Sequence, residues 1–394
     1  MVATLDSPLT MLQQRLAYAA DFPERDWHLV VDNVPPWPPA LRPDLSSLIQ
    51  GDPFQYAPCS GLPELIDAIV MAADRDHDVT VRDKNVLVTN GAMHALGLIA
   101  DHQQGNGMTA YVQRPVLAAI PKVFMDAGFR VEFFDATPKG IRDLEQLVAQ
   151  DADNVGLIYL NSPNNPTGQI LGADLIHRLA RLAQSLTAAL IVDQVYDSFG
   201  AQGVQVPVAL PLAIEFEHVF YVNSMSKNYG SPGLRIGWVV GAESHITTLS
   251  GRLERENVAV NSPCQAMAAT LLRSGNLPLQ QSVLNSRRSI LAALNRSELL
   301  RCQGTPSDLG GSAVVVQLPV ADIEGFANTL LQEHSVAVAT PANFAGVDAT
   351  EQSWLRIPLG YPEAMMTKAL DLIEGAVRSG LESSGEQAAT DAHR

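Results

Sequence analysis

From Val86 onward, short runs of aliphatic and aromatic residues alternate with longer amphipathic stretches, and this alternation limits the fold more than any other feature of the chain. Val86-Leu-Val-Thr89, Leu157-Ile-Tyr-Leu160, Ala189-Leu-Ile-Val192 and Val219-Phe-Tyr-Val222 are near-continuous apolar runs, as strands are when helices cover both faces of a sheet. Strands joined by crossover helices make a parallel-rich sheet, so the expected class is α/β. Each run gives way to a polar or glycine-bearing segment: Gly91-Ala-Met93, Asn161-Ser-Pro-Asn-Asn-Pro-Thr-Gly168, Asp193-Gln-Val-Tyr196 and Ser224-Met-Ser-Lys227. Open α/β sheets bind ligands where their strands end, so these four segments are expected to share one site.

Beyond Gly237 the pattern changes to long helical stretches between about residues 243 and 300, including Ser286-Arg-Arg-Ser-Ile-Leu-Ala-Ala-Leu294. After them, Ser312-Ala-Val-Val-Val-Gln317, Val336-Ala-Val338 and Trp354-Leu-Arg-Ile357 have strand character, and a helix over about 361–380 follows. The implied division is a large domain over 46–285, a smaller α/β domain assembled from 1–45 and 286–380, and a polar, disordered tail over 381–394. Val34-Pro-Pro-Trp-Pro-Pro39 has too few N–H donors for a helix or a central strand and is expected to be an extended crossing segment.

A chain of 394 residues, 46% of them hydrophobic, has core enough for about two or three domains. Its net charge of −16 and the absence of a dense Lys/Arg cluster argue against nucleic acid as a partner. No apolar run approaches the ~18 residues of a membrane span. The start, Met1-Val-Ala-Thr-Leu-Asp-Ser7, lacks the basic flank and apolar centre of a secretion signal, so a cytoplasmic location is expected. Cys59, Cys264 and Cys302 are an odd, dispersed set that suggests neither a disulfide framework nor a zinc site. The 9 histidines show no ligand spacing, so no metal is expected.

The candidate chemistry concentrates around Lys227, which has hydroxyls, glycines and a second cation, Arg235, beside it. A neighbouring positive charge and partial burial both disfavour the ammonium, leaving an amine able to form a Schiff base with an aldehyde. Alone, such a lysine is an ordinary solvated side chain; the other segments decide otherwise. Asp193 follows an aliphatic run, a costly place for a carboxylate unless it meets a cation. Gly91, Ala92 and Met93 lie between a strand and a helix, so their N–H groups are open to a phosphate. Arg356, between Leu355 and Ile357, is expected to point inward from a strand, where a guanidinium can take a carboxylate through two parallel hydrogen bonds.

Taken with Asn161 to Gly168, Asp193 to Tyr196, Lys227 to Arg235 and Leu355 to Ile357, in that order and approximate spacing, the chain resembles the class I/II aminotransferases over roughly residues 30–380. These are fold-type I enzymes dependent on pyridoxal 5′-phosphate (PLP). The resemblance implies a large domain whose mostly parallel central sheet is sandwiched by helices, and a smaller α/β domain. It implies that Lys227 holds PLP as a Schiff base and moves a proton at the substrate Cα, that Asp193 pairs with the protonated pyridine nitrogen, and that Asn165 and Tyr196 hydrogen-bond the phenolic oxygen. Ser224, Ser226 and Arg235 would join Gly91, Ala92 and Met93 around the phosphate. Tyr56 would reach across a homodimer to the partner's phosphate, and Arg356, with Asn165, would hold the substrate's α-carboxylate. The implied reaction is ping-pong transfer of an amino group from an L-amino acid to a 2-oxo acid.

The chain also departs from the family pattern. Where most relatives place an aromatic ring on the pyridine, Gln113-Arg-Pro-Val-Leu-Ala118 offers Val116 and Leu117, with Arg114 as an added cation. His28-Leu-Val-Val-Asp-Asn-Val-Pro-Pro-Trp37 replaces the glycine-rich turn that commonly lines the substrate pocket, and Trp37 either covers the substrate or packs between prolines. Gln194 stands where glutamate is more frequent. These departures leave open a second outcome on the same scaffold: elimination, cyclisation or oxidation of an amino acid. A catalytically silent relative acting in a regulator is the reading from another class.

Overall fold

The computed structural model describes residues 8–44, 56–103, 105–201, 205–304 and 309–391, with backbone alone at 8–10 and 383–391. Seven strands make the main sheet: β1 (Val86–Thr89), β2 (Thr109–Arg114), β3 (Arg130–Asp135), β4 (Val155–Asn161), β5 (Ala189–Asp193), β6 (Val219–Ser224) and β7 (Gly237–Val240). Their order is β1-β7-β6-β5-β4-β2-β3. Strands β2 to β6 run parallel, whereas β7 is antiparallel to both of its neighbours. Every residue of β4, β5 and β6 is buried, which explains their unbroken apolar runs.

Helices cover this sheet. The Ala92–Gln103 helix buries Ala95, Leu96, Leu98, Ile99 and Ala100, and its composition is apolar because it packs across several strands. The Ala173–Leu186 helix instead buries a single stripe, Ile176, Leu179, Ala180 and Ala183, at the three- and four-residue spacing of an amphipathic helix.

Register brings the polar segments to one edge. Thr89 and Ser224 both pair with Gly237, Asn161 pairs with Asp193, and Asp193 pairs with Val222. The C-terminal ends of β1, β6, β5 and β4 therefore lie side by side, with β7 entering the sheet at the same edge. That alignment gathers Gly91, Asn165, Asp193, Lys227 and Arg235.

A smaller antiparallel sheet contains β8 (Arg301–Cys302), β9 (Ala313–Gln317) and β10 (Trp354–Pro358), in that order. Its core includes Val30, Ile290, Leu294, Val314, Val316, Leu355, Ile357 and Ile373. The 20-residue helix Leu277–Arg296 belongs to two cores: Leu279 and Val283 pack with Val195, Tyr196 and Phe199, and Ile290, Leu291 and Leu294 pack in the smaller unit. Val34 to Pro38 is irregular extended chain, as its prolines require. Two short pairings tie distant segments together: His28–Leu29 runs parallel to Val336–Ala337, and Val116–Leu117 runs antiparallel to Phe344–Ala345. Among the described residues, no helix is long and apolar enough to cross a membrane.

One expectation needs correction. The tail expected to be disordered from residue 381 continues the Glu363–Asp391 helix, and only 392–394 lie outside the described residues. Polarity was the wrong signal: Leu381, the glutamates, Gln387 and the alanines are good helix formers, and no proline interrupts them.

Candidate active site

The sheet edge opens into a cavity of about 290 Å³ lined by Ala92, Met93, Asn165, Asp193, Tyr196, Ser224, Ser226, Lys227, Arg235 and Arg356, among others. Three cations, Lys227, Arg235 and Arg356, face two carboxylates, Asp32 and Asp193, so the cavity favours anions although the chain as a whole is acidic.

One end is built from backbone. Gly91 has φ +82°, and a Cβ placed there would lie 2.6 Å from Nη2 of Arg235, so the guanidinium sits directly against the turn. Arg235 itself has φ +52° and donates to the Pro232 carbonyl at 3.0 Å and to the Ser226 hydroxyl at 3.5 Å. The N-terminus of the Ala92–Gln103 helix opens on the same place, with Ala92 and Met93 lining the cavity. Amides at a helix start, a hydroxyl and a guanidinium form a cradle for a phosphate.

Deeper in, Asp193 is 6% exposed. Its carboxylate accepts the Tyr159 hydroxyl at 2.8 Å and the Val195 N–H at 3.2 Å. Burial pushes its pKa up to about 6, against the pull of these donors and of Lys227. The Lys227 ammonium is disfavoured, first by burial and then by Arg356 and Arg235, while Asp32, 3.8 Å from Nζ, opposes the shift. Tyr196 is buried, which raises its pKa, so its hydroxyl keeps its proton. It donates to the Asn33 carbonyl at 3.4 Å.

Arg356 enters from β10, opposite Val315, and is 3% exposed. It donates to the Val31 carbonyl and to Oδ1 of Asn165 at 3.4 Å, with its guanidinium carbon 5.9 Å from the Phe344 ring centre. Its buried Nε has no partner among the described residues. An arginine this buried with an unused donor is suited to a bound carboxylate. Asn165 is held in turn by its own N–H, which donates to the Asn161 side chain at 2.8 Å.

Residues 35–373 match the family model for aminotransferase class I and II. The chain belongs to the class I and II aminotransferases.

This aminotransferase is 37% identical over 380 residues to the L-aspartate:5-guanidino-3-methyl-2-oxopentanoate transaminase of Pseudomonas syringae pv. syringae, covering 96% of this chain and 95% of that one. It is 35% identical over 370 residues to the 3-methylarginine biosynthesis aminotransferase ArgM of Streptomyces arginensis, covering 93% and 96%. The solved aspartate aminotransferase of Thermotoga maritima shares its fold, with a TM-score of 0.82 at 21% identity over 94% of this chain and 97% of that one. The large, mostly parallel sheet with its helices and the smaller α/β unit are therefore those of fold type I. The reaction is transamination of an amino acid rather than the diverted outcome, since both full-length relatives are aminotransferases by name.

Family and fold imply PLP for this aminotransferase, and its residues fit the group. The Gly91 turn against Arg235 suits the phosphate, the buried Asp193 carboxylate suits a pyridinium, and Lys227 supplies an amine. Of the residues expected from sequence, three are outside the cavity lining: Gly91, whose turn nevertheless lies against Arg235, and two that stand apart. Tyr56 is 85% exposed and does not line the cavity. Trp37 also lies outside its lining: its ring N–H donates to the Tyr229 carbonyl at 2.8 Å and the ring packs with the cluster of Val195, Phe199 and Leu279. Val116 and Leu117 do form an aliphatic wall, extended by Ile120. Arg114 is a surface residue, paired with both oxygens of Asp135 at 2.9 and 3.0 Å.

Sequence reasoning missed Asp32, Asn33, Tyr159 and Asn161, all of which line the cavity. Tyr159 had a usable signal, a hydroxyl within an apolar run on the strand beside the one ending in Asp193. Asp32 had a weaker one, a carboxylate directly after Leu29-Val-Val31.

Proposed function

We propose that this aminotransferase carries PLP on Lys227 and moves an amino group between L-aspartate and a 2-oxo acid bearing a guanidino group, working as a cytoplasmic homodimer. The carrying observation is the convergence in one cavity of a desolvated lysine, a buried carboxylate and a buried arginine with an unused donor. The substrate pair is supported by the full-length likeness to two relatives, one named for L-aspartate and 5-guanidino-3-methyl-2-oxopentanoate, the other for 3-methylarginine biosynthesis. Three unpaired cysteines fit a reducing compartment. The exposed Tyr56, outside its own chain's cavity, supports a role toward a partner's.

When bound, PLP supplies the carbonyl that accepts the amino group and the ring that withdraws electrons from Cα. The chain's residues do the rest. Arg356 binds the α-carboxylate and confines Cα to the cavity that Lys227 lines. Lys227, with its ammonium disfavoured by burial and two arginines, takes the Cα proton as a base and returns it as an acid. Asp193, buried and accepting the Tyr159 hydroxyl, would hold a proton on the pyridine nitrogen through its carboxylate. Tyr196 remains a hydroxyl and would turn its single proton from the Asn33 carbonyl to the phenolic oxygen, with Asn165 beside it. The Gly91 turn, Ser224, Ser226 and Arg235 receive the phosphate.

The test has two parts. Borohydride reduction of the holoenzyme followed by peptide mapping should label Lys227, and Lys227→Ala protein should carry no label. L-aspartate added without a 2-oxo acid should release its oxo acid once per active site and then stop until a guanidino-bearing acceptor is supplied. Labelling at another lysine sinks the assignment of Lys227, and continuous turnover without an acceptor sinks the transfer reaction.

A further inference from the structure

We propose that Asp32 is the residue that selects a guanidinium at the far end of the substrate, an inference that rests on the guanidino-acid reading above. Asp32 occupies the junction between two spaces. It lines the inner cavity of about 290 Å³ and also an outer groove of about 560 Å³ that includes Trp37, Arg42, Pro43 and Tyr361. Its side chain is 60% exposed, so it faces the passage rather than the core. The backbone here is held on both sides: Arg356 donates to the Val31 carbonyl, and Tyr196 to the Asn33 carbonyl. The Asp32 carboxylate itself accepts the Asn33 N–H at 2.7 Å.

The ion pair of Asp32 is what makes it selective. Its nearest cation among the described residues is Lys227, whose Nζ is 3.8 Å away. The Lys227 ammonium is disfavoured by burial and by Arg356 and Arg235, so it neutralises Asp32 only in part, and a carboxylate 60% exposed at the mouth is left facing whatever enters. A substrate anchored through its α-carboxylate on Arg356 must send a long side chain outward through this junction. A terminal guanidinium is planar and presents parallel N–H donors that match a carboxylate, and its positive charge completes the neutralisation of Asp32. Tyr361, near enough to be influenced by both Asp32 and Arg356, adds an aromatic ring and a hydroxyl to the same mouth. A carboxylate carried out as far as this junction, by contrast, is repelled by Asp32, so the far position favours a cationic end while the shorter L-aspartate is held through its α-carboxylate.

Two ligands that lack an α-amino group separate recognition from chemistry: 5-guanidinopentanoate, which is arginine without that group, and succinate, which is aspartate without it. Their binding to the PLP-loaded holoenzyme is measured by calorimetry for wild type, Asp32→Asn and Asp32→Glu. Loss of a charge-assisted pair should weaken 5-guanidinopentanoate about tenfold or more in Asp32→Asn, with partial recovery in Asp32→Glu, while succinate tightens as repulsion is removed. The Asp32→Glu protein guards against reading a folding defect as a loss of recognition. Wild type that binds succinate but not 5-guanidinopentanoate overturns the guanidino-substrate reading and this inference with it. Wild type that binds both, with Asp32→Asn weakening both equally or neither, overturns the role of Asp32 and leaves the substrate reading standing.

Discussion

A carboxylate as buried as that of Asp193 resists ionisation, and its pKa stands at about 6 even with the Tyr159 hydroxyl and the Val195 N–H donating to it. Because the folded value lies above the ordinary 3.8, the protonated form is the one the fold favours. Its contribution to stability is fully present below the unfolded pKa and is lost as pH rises through about 6. Unfolding of the apoprotein between about pH 4 and 7 should show this loss, and Asp193→Asn should remove it. Cofactor binding runs the other way: a pyridinium pairs only with the ionised carboxylate, so PLP affinity should rise over the same interval. Tyr159→Phe deletes a donor that stabilises the anion. It should move the rise in affinity to higher pH and weaken PLP about tenfold or more, whereas an unmoved profile would reduce Tyr159 to a packing residue. Asp193 was legible in the sequence because a charge after an aliphatic run demands a partner. Tyr159 and Asp32 gave weaker signals, since an aromatic in a buried strand already has a use in packing and an acid just ahead of a proline-rich segment reads as solvated.

The elements meet at the cavity with little room to spare, and two glycines set the spacing. A Cβ on Gly237, the first residue of β7, would lie 2.6 Å from the Gly91 carbonyl carbon and 2.7 Å from the Ala92 nitrogen. Backbone on both sides cannot move like a flexible side chain, so Gly237→Ala should push β7 away from the turn and cost about 1–3 kcal/mol, read as a lowered unfolding temperature. Gly91→Ala meets Arg235 instead, and φ +82° adds strain of about 1 kcal/mol. The guanidinium can shift, so the larger effect should be on the cofactor, with PLP held about tenfold more weakly as Arg235 leaves the cradle. Equal PLP affinity in Gly91→Ala and wild type would separate Arg235 from the phosphate. The parallel strands that carry most of the site could be read from their apolar runs. The four-residue β7 could not, because Gly237 to Val240 follows an irregular loop and its antiparallel place between β1 and β6 depends on tertiary pairing.

At the scale of the whole molecule the open question is where one site ends and the next chain begins. Sheet register accounts for how nine of the expected residues reach one cavity, and Arg356 joins them from β10 of the smaller sheet. Tyr56 escapes that logic: it follows a segment, 45–55, outside the described residues, and its ring is 85% exposed. A second copy of the chain is the partner the proposed homodimer would bring to it. The consequence can be tested without a structure of the dimer. Tyr56→Ala and Lys227→Ala proteins are unfolded together and refolded as a mixture. If Tyr56 serves the partner's phosphate, a mixed dimer contains one site with an intact lysine from the first chain and an intact tyrosine from the second. About a quarter of the wild-type number of sites should then bind PLP with full affinity, because half the dimers are mixed and each restores one site of two. If Tyr56 serves its own chain, or no chain, mixing restores nothing, since the only sites with Lys227 still lack the tyrosine they need or never needed it.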